Sequence, residues 1–222
     1  QLLVAQRRRT VLLDLDLQFG TAALAFDVEP GRGLLEALAS PERVDDLFLQ
    51  RAVVNVSDRL GVLCAEEGPD RRPPGGQDGA AQVMERLRAA YDTLVLDLPR
   101  WAVADLPSLA EGDAAVVVTD YTLGGLRDAV RLVRHLGAAQ PKARLLVAAS
   151  QVGAPGRAEI GRSDVEKATG LPVSVEIPFE PKLFVAAGRD GAPVAKGRPR
   201  SRTAAAVGRL AGQLFPDAAP PV

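Results

Sequence analysis

Val11-Leu12-Leu13-Asp14-Leu15-Asp16-Leu17-Gln18-Phe19-Gly20 sets two carboxylates, two residues apart, at the end of an apolar run. The run reads as a buried strand. In an open parallel sheet, ligands sit beyond the carboxyl ends of the strands, which puts Asp14 and Asp16 where a metal–phosphate ligand is held. Carboxylates kept from water need a cation or hydrogen-bond donors to offset their charge. Taken alone, the segment fits equally well a strand whose last acids cap the following helix.

Thr93-Leu94-Val95-Leu96-Asp97-Leu98-Pro99 tips that balance. It is a second apolar strand ending in a carboxylate, and Pro99 forces the chain out of the ladder. A strand-end Asp of this kind is the Walker B arrangement, in which the carboxylate holds Mg²⁺ through water beside a nucleotide phosphate. One such strand is common in α/β proteins; two, the first carrying DLDLQFG, are far more specific.

Further apolar runs alternate with helical patterns, implying βαβ units and a parallel sheet. Strands are expected at Val11–Asp16, Leu60–Ala65, Thr93–Asp97, Ala114–Thr119, Arg144–Ala149 and Val173–Ile177. Val83, Leu87 and Ala90 recur at helical spacing, as do Leu126, Val130 and Val133, with Gly137 read as a helix stop. Ser163-Asp164-Val165-Glu166 reads as a capping box, and Gly170 ends that helix. Glu66–Gly79 reads as a surface loop. The 222 residues suit one α/β domain. With 47% hydrophobic and 4% aromatic residues, the core is built mainly of Leu, Val and Ala. A net charge of −1 argues against bulk attraction to nucleic acid. Cys64 stands alone, which excludes an internal disulfide. No apolar run is long enough to span a membrane, and no signal peptide is visible.

Together these residues resemble the ParA/MinD family of deviant P-loop ATPases. DLDLQFG followed by Thr21-Ala22-Ala23-Leu24 is most similar to the CpaE/TadZ branch, which serves Flp/Tad-type pilus assembly; partitioning ParA proteins more often carry Pro where Leu17 stands. The similarity continues through Ala114–Thr119, Gly124–Ala129, Val175-Glu176-Ile177-Pro178-Phe179-Glu180 and Gly191-Ala192-Pro193-Val194.

The resemblance implies an α/β three-layer sandwich with a mostly parallel sheet, P-loop NTPase-like. It implies ATP and Mg²⁺ as cofactors, with Asp16 orienting the attacking water and Asp14 and Asp97 supporting the metal shell. Pro178, Phe179 and Glu180 would flank the adenine, and Ser150 would stand at the adenine edge. A homodimer is implied, acting with pilus assembly or secretion machinery in the cytoplasm, with room for peripheral association at the inner membrane face or cell pole. Asp16 and Asp97 are expected on adjacent strand ends with their carboxylates in one cleft; in the family the P-loop strand stands between those two strands, which would leave a gap there. Three departures stand out. No G-x-x-x-x-G-K-[ST] string occurs, and Gln1–Gln6 reads as the end of a helix. Residues 1–222 are therefore expected to form a single ATPase-like domain lacking its first strand, P-loop and most of its first helix. Ser150-Gln151 replaces the family's usual Asn-Arg. None of these 222 residues reads as the receiver-like domain often found in this branch. Two other readings stay open: a partitioning or division-positioning ATPase, and a non-catalytic scaffold.

The remaining candidates read as ordinary structure. Thr119-Asp120 could line the same cleft but reads rather as an ordinary strand end, His135 reads as a solvated surface residue, and Trp101 reads as a packing residue more than an interface anchor. Arg7-Arg8-Arg9 and the run Lys196, Arg198, Arg200, Arg202 could meet nucleic acid or acidic lipid, but no aromatic residue interleaves them, so both read as solvated. The helix near Thr203–Phe215 carries Val207, Leu210 and Leu214 on one stripe and reads as packed on the domain rather than as a membrane anchor.

Overall fold

Strand β1 (Thr10–Asp14) is buried along nearly its whole length, with Val11 and Leu13 fully so, in a computed structural model that describes residues 8–71, 76–105 and 114–215. Such a run, apolar on both faces, is what the interior of a parallel sheet demands. The chain forms two compact units. The first holds the described residues up to 105 together with Ala187–Pro193; the second holds the others from 114 onward.

In the first unit the elements run β1, α1 (Ala22–Phe26), α2 (Gly33–Ala39), α3 (Asp46–Ala52), β2 (Val54–Ser57), β3 (Leu60–Leu63), α4 (Gly76–Ala90) and β4 (Thr93–Asp97). The sheet order is β2-β3-β1-β4. β1 pairs in parallel with β3 and with β4, and β2 returns antiparallel on β3. Val83 and Leu87 of α4 are fully buried.

Three expectations change here. β1 and β4 are adjacent as expected, with Asp14 opposite Asp97, but they pair directly and no gap separates them. Two apolar strands satisfy each other's ladder groups, and the Leu15 N–H extends the ladder by donating to the Asp97 carbonyl at 3.0 Å. α4 begins at Gly76, inside the stretch expected to be loop; Asp78 in its first turn suits the positive end of the helix. β2 is a strand not anticipated. A 3₁₀ turn (Arg100–Asp105) follows β4; the side chain of Trp101 within it lies outside the described residues, as do Gln1–Arg7.

In the second unit the elements are β5 (Ala114–Thr119), α5 (Leu123–Ala139), β6 (Arg144–Val152), α6 (Arg162–Thr169), β7 (Val173–Pro178), α7 (Pro181–Arg189, whose residues from Ala187 on belong to the first unit), α8 (Val194–Gly197) and α9 (Arg202–Leu214). The three strands are parallel, in the order β5-β6-β7. Val147, Ala149, Val165, Val173 and Tyr121 form the core, and α9 packs along β7. α5 runs through Gly137 to Ala139; packing of its Ala129 and Leu136 outweighs a glycine cost of about 1 kcal/mol. α6 is capped two residues earlier than expected: Gly161 is its N-cap, and the Gly161 N–H donates to Asp164 at 3.0 Å. Glu166 instead pairs with Arg162 and accepts from the Val173 N–H. Gly170 ends the helix in the left-handed region, as anticipated.

Candidate functional site

Asp14, Asp16 and Asp97 come together at the carboxyl ends of β1 and β4. Register places Asp14 beside Asp97, and Asp16 lies two residues further along the same loop. Asp14 is only 4% exposed. Its Oδ1 accepts from the Asp16 N–H at 3.0 Å and its Oδ2 from the Ala22 N–H at 3.2 Å. One carboxylate therefore ties the strand end to the loop and to the start of α1. Asp16 accepts from the Phe19 N–H at 3.1 Å, and the Gly20 N–H closes the turn on the Asp16 carbonyl at 2.7 Å. Leu17, placed where partitioning proteins more often have Pro, is buried, and its carbonyl accepts from the Glu67 N–H.

The charges of the three acids oppose one another. Burial raises the Asp14 pKa above the ordinary 3.8, its two backbone hydrogen bonds pull the other way, and Asp97 and Asp16 add repulsion. Protein crowding and then the charge of Asp16 raise Asp97. Among the described residues, no group of three or more His, Cys, Asp or Glu side chains is placed to hold a metal ion by itself. Two adjacent, mutually repelling carboxylates with hard oxygen donors nevertheless fit a divalent cation such as Mg²⁺ that completes its shell with water.

These shifts have a consequence for stability. Both raise the folded pKa above the unfolded value, so the folded protein retains protons that the unfolded chain has released. The contribution of these groups is greatest below the unfolded value and is lost as pH rises through the folded ones. Asp97→Asn, which cannot ionise, is expected to flatten the pH dependence of the urea midpoint from about pH 4 upward and to leave the protein more stable than the parent at neutral pH. Superimposable pH profiles for the two proteins would contradict this.

Cys64, one residue past β3, is buried; burial first, then the charges of Asp14 and Glu66, raise its thiol to about 11. It is inert packing beside the acids.

The other expected residues lie in the second unit. Ser150 is half-buried near the end of β6, and Gln151 follows with φ +56°. The Phe179 N–H donates to the Val152 carbonyl at 2.9 Å, which holds Pro178 and Phe179 beside the end of β6. Glu180 is engaged elsewhere: its carboxylate accepts from Thr203 Oγ1 at 2.8 Å and from the Thr203 N–H at 3.3 Å. The Thr203 bond lowers its pKa most, with Arg202 also contributing. His135 is exposed.

A further cluster went unread in the sequence. Arg157 donates to Asp120 at 3.3 Å, to the Gln151 carbonyl at 2.7 Å and to Glu159 at 3.0 Å. Asp120 also accepts from the Thr122 hydroxyl at 2.6 Å. Asp120 is thus the anchor of the loop between β6 and α6 and of the start of α5, more than the ordinary strand end expected. The Asp120-Tyr121-Thr122 turn ahead of a helix is the signal that could have exposed it.

The fold defined by these elements is α/β and P-loop NTPase-like, of the ParA/MinD type. A ParA family ATPase from Chlorobium tepidum TLS superposes with a TM-score of 0.79 at 18% identity, over 96% of this chain and 89% of its own. The septum site-determining protein MinD from Pyrococcus horikoshii OT3, complexed with Mg-ADP, gives 0.77 at 21% identity, over 96% and 87%. MinD in a MinC:MinD complex from Aquifex aeolicus gives 0.72 at 18% identity, over 98% and 88%. No protein-family model matches the chain, and no curated protein matches it.

Proposed function

We propose that this chain is the core of a ParA/MinD-type ATPase of the CpaE/TadZ branch. It would act in Flp/Tad-type pilus assembly and polar localisation, as a cytoplasmic homodimer that sandwiches ATP and Mg²⁺. The observation that carries this reading is the in-register pairing of Asp14 with Asp97 at the ends of two parallel strands, with Asp16 beside them. DLDLQFG supports the branch. Mg²⁺, when bound, neutralises phosphate charge. Asp97 would hold it through water, Asp14 would support that shell while shaping the loop, and Asp16 would orient the attacking water. Ser150, Pro178, Phe179 and Glu180 would lie toward the adenine.

The phosphate loop is not among these 222 residues, and the reading requires it from sequence beyond them. Each unit, taken by itself, has an open sheet edge that supports such a segment. Among the described residues β4 and β5 each end a sheet, and each exposes a valine, Val95 at 38% and Val118 at 63%. Bare apolar edges of this kind are what natural sheets avoid.

Backbone amides and the Lys of a phosphate loop supply most phosphate contacts in such enzymes. Without them the three acids offer only negative charge to a negative ligand. Residues 1–222 are expected to bind ATP weakly or not at all in calorimetry, whereas a form extended upstream with a loop carrying Lys should bind and turn over ATP. Submicromolar affinity of residues 1–222 would overturn the missing-loop account. Normal Flp/Tad piliation after deletion of the gene would overturn the pilus role. Ser150-Gln151 favours a second reading, the non-catalytic scaffold, which an extended form without turnover would establish.

A further inference from the structure

We propose that Gln151 is the side chain that reads the edge of the purine base and that Arg157 positions it, an inference resting on the ATPase reading above. Among the described residues, two that are not glycine have positive φ, Asp27 at 50° and Gln151 at 56°. Asp27 closes α1, where a left-handed residue is an ordinary way to stop a helix. Gln151 stops no helix, since it lies inside β6. A residue with a Cβ is strained in that region. β6 also gains a residue here. Ala149 pairs with Glu176 and Val152 with Pro178, so three steps along β6 match two along β7. The extra residue makes a bulge at Ser150-Gln151. Bulges favour glycine in the left-handed region, and they re-aim side chains beside functional sites. Glutamine in that place calls for a reason.

The surroundings hold the backbone of Gln151 and leave its side chain free. Arg157 donates to the Gln151 carbonyl at 2.7 Å. The same guanidinium is fixed by Asp120 at 3.3 Å and by Glu159 at 3.0 Å. Glu159 also accepts from the Gly153 N–H at 3.0 Å, which ties the clamp to the chain just past the bulge. Gln151 is exposed, and its amide has no hydrogen-bond partner among the described residues. Neither core packing nor a bond of its own accounts for a glutamine here. What the fold provides is a rigidly held carbonyl and a carboxamide displayed to solvent.

Position and chemistry define what that carboxamide meets. Ligands of a parallel sheet lie beyond the carboxyl ends of its strands, and Gln151 is one residue from the end of β6. The Phe179 N–H donates to the Val152 carbonyl at 2.9 Å, which brings Phe179, 37% exposed, beside the bulge as an aromatic partner for a flat ring. A carboxamide matches adenine: its oxygen accepts from the N6 amino group while its NH2 donates to N7. Guanine carries the acceptor O6 where adenine has N6, so one of the two bonds is lost and two oxygens face each other. Ser150 has a single hydroxyl, and Glu180 is held by Thr203, so neither supplies that pair.

The test compares Mg-ATP with Mg-GTP by calorimetry, on the protein extended upstream through its phosphate loop. The parent is expected to favour ATP by about tenfold or more, and Gln151→Ala and Gln151→Gly to fall to within about threefold. Arg157→Gln, which frees the Gln151 carbonyl, should lose the preference as well. Arg157→Lys, which can still donate to that carbonyl, should retain most of it. Thermal melts add a readout that needs no nucleotide. Gln151→Gly removes the backbone strain, so its Tm should rise by roughly 2–4 °C while its selectivity falls. Parental selectivity in either variant at residue 151, or a Gln151→Gly protein that melts below the parent, would overturn the assignment. Unchanged selectivity in Arg157→Gln would overturn the positioning role. A parent that binds ATP and GTP alike would refute the inference and leave the ATPase reading standing. A parent that binds neither would end both.

Discussion

Asp16→Ala, in a form of the protein that carries a phosphate-binding loop, is expected to bind Mg-ATP as the parent does and to hydrolyse it about a hundredfold or more slowly. Asp16 stands two residues beyond the strand end, oriented by the Phe19 N–H and close enough to Asp97 to raise the pKa of Asp97. In the role proposed for it, Asp16 would act on the attacking water rather than on ground-state phosphates, so its loss should fall on kcat. Asp16→Asn is the control for loop shape. It keeps an oxygen for the Phe19 N–H but loses the charge, and it should be slow as well. Asp97→Ala should differ in kind by weakening the Mg²⁺-dependent part of binding itself. The nucleotide-loaded Asp16→Ala protein should accumulate as dimer in light scattering if ATP is sandwiched between subunits. Single-turnover hydrolysis and nucleotide affinity, each with and without Mg²⁺, separate these outcomes. Parental hydrolysis by Asp16→Ala would end its catalytic assignment. An inactive parent would turn the protein into a scaffold.

The acids were legible because their context is redundant. A continuous apolar run can hardly be anything but a buried strand, and a carboxylate at its end is hard to misplace; Thr93–Asp97 and Ala114–Thr119 stand within the limits expected for them. What the sequence concealed was short or relational. α1, α2 and α3 have five to seven residues, too few to show a helical period. β2 is four residues long, alternates polar and apolar positions and is bulged between Asn55 and Ser57. Gly137 carries a stop signal that side-chain packing overrules. The direct pairing of β1 with β4 depends on which strand finds which partner, and that is not a local property. The Arg157 cluster is of the same sort, since its acids lie two residues and 37 residues away in sequence. Glu180 could be placed in its loop from the sequence, but its bond to Thr203 could not, because 23 residues separate them.

Gly20→Ala is expected to destabilise the protein more than any other single-methyl addition along this loop. A Cβ at residue 20 would stand 2.4 Å from Asp14 Oδ2 and 2.4 Å from the Asp16 carbonyl oxygen. Neither can retreat cheaply. The Asp14 oxygen is buried and holds the Ala22 N–H, and the Asp16 carbonyl receives the Gly20 N–H itself. The methyl must therefore open the turn, strain the contact and expose a buried carboxylate to the loss of its donor. Overpacking of this kind costs about 1–3 kcal/mol, and a hydrogen bond to a charged group about 1.5–3 kcal/mol. A total near 3 kcal/mol corresponds to a fall in Tm of roughly 6–12 °C for a chain of this size. Gly208→Ala is the matched control: it lies within α9, and a Cβ there meets no atom within 4 Å. That change should be neutral or stabilising by up to about 1 kcal/mol, since alanine restricts the unfolded chain. Urea and thermal melts of both variants decide the matter. If Gly20→Ala melted with the parent, the turn would have slack, and Asp14 would no longer be a rigid tie between strand end and loop. The positions of Asp16 and Asp97 relative to one another would then be free to drift, and the geometric basis for assigning them to one site would go with it.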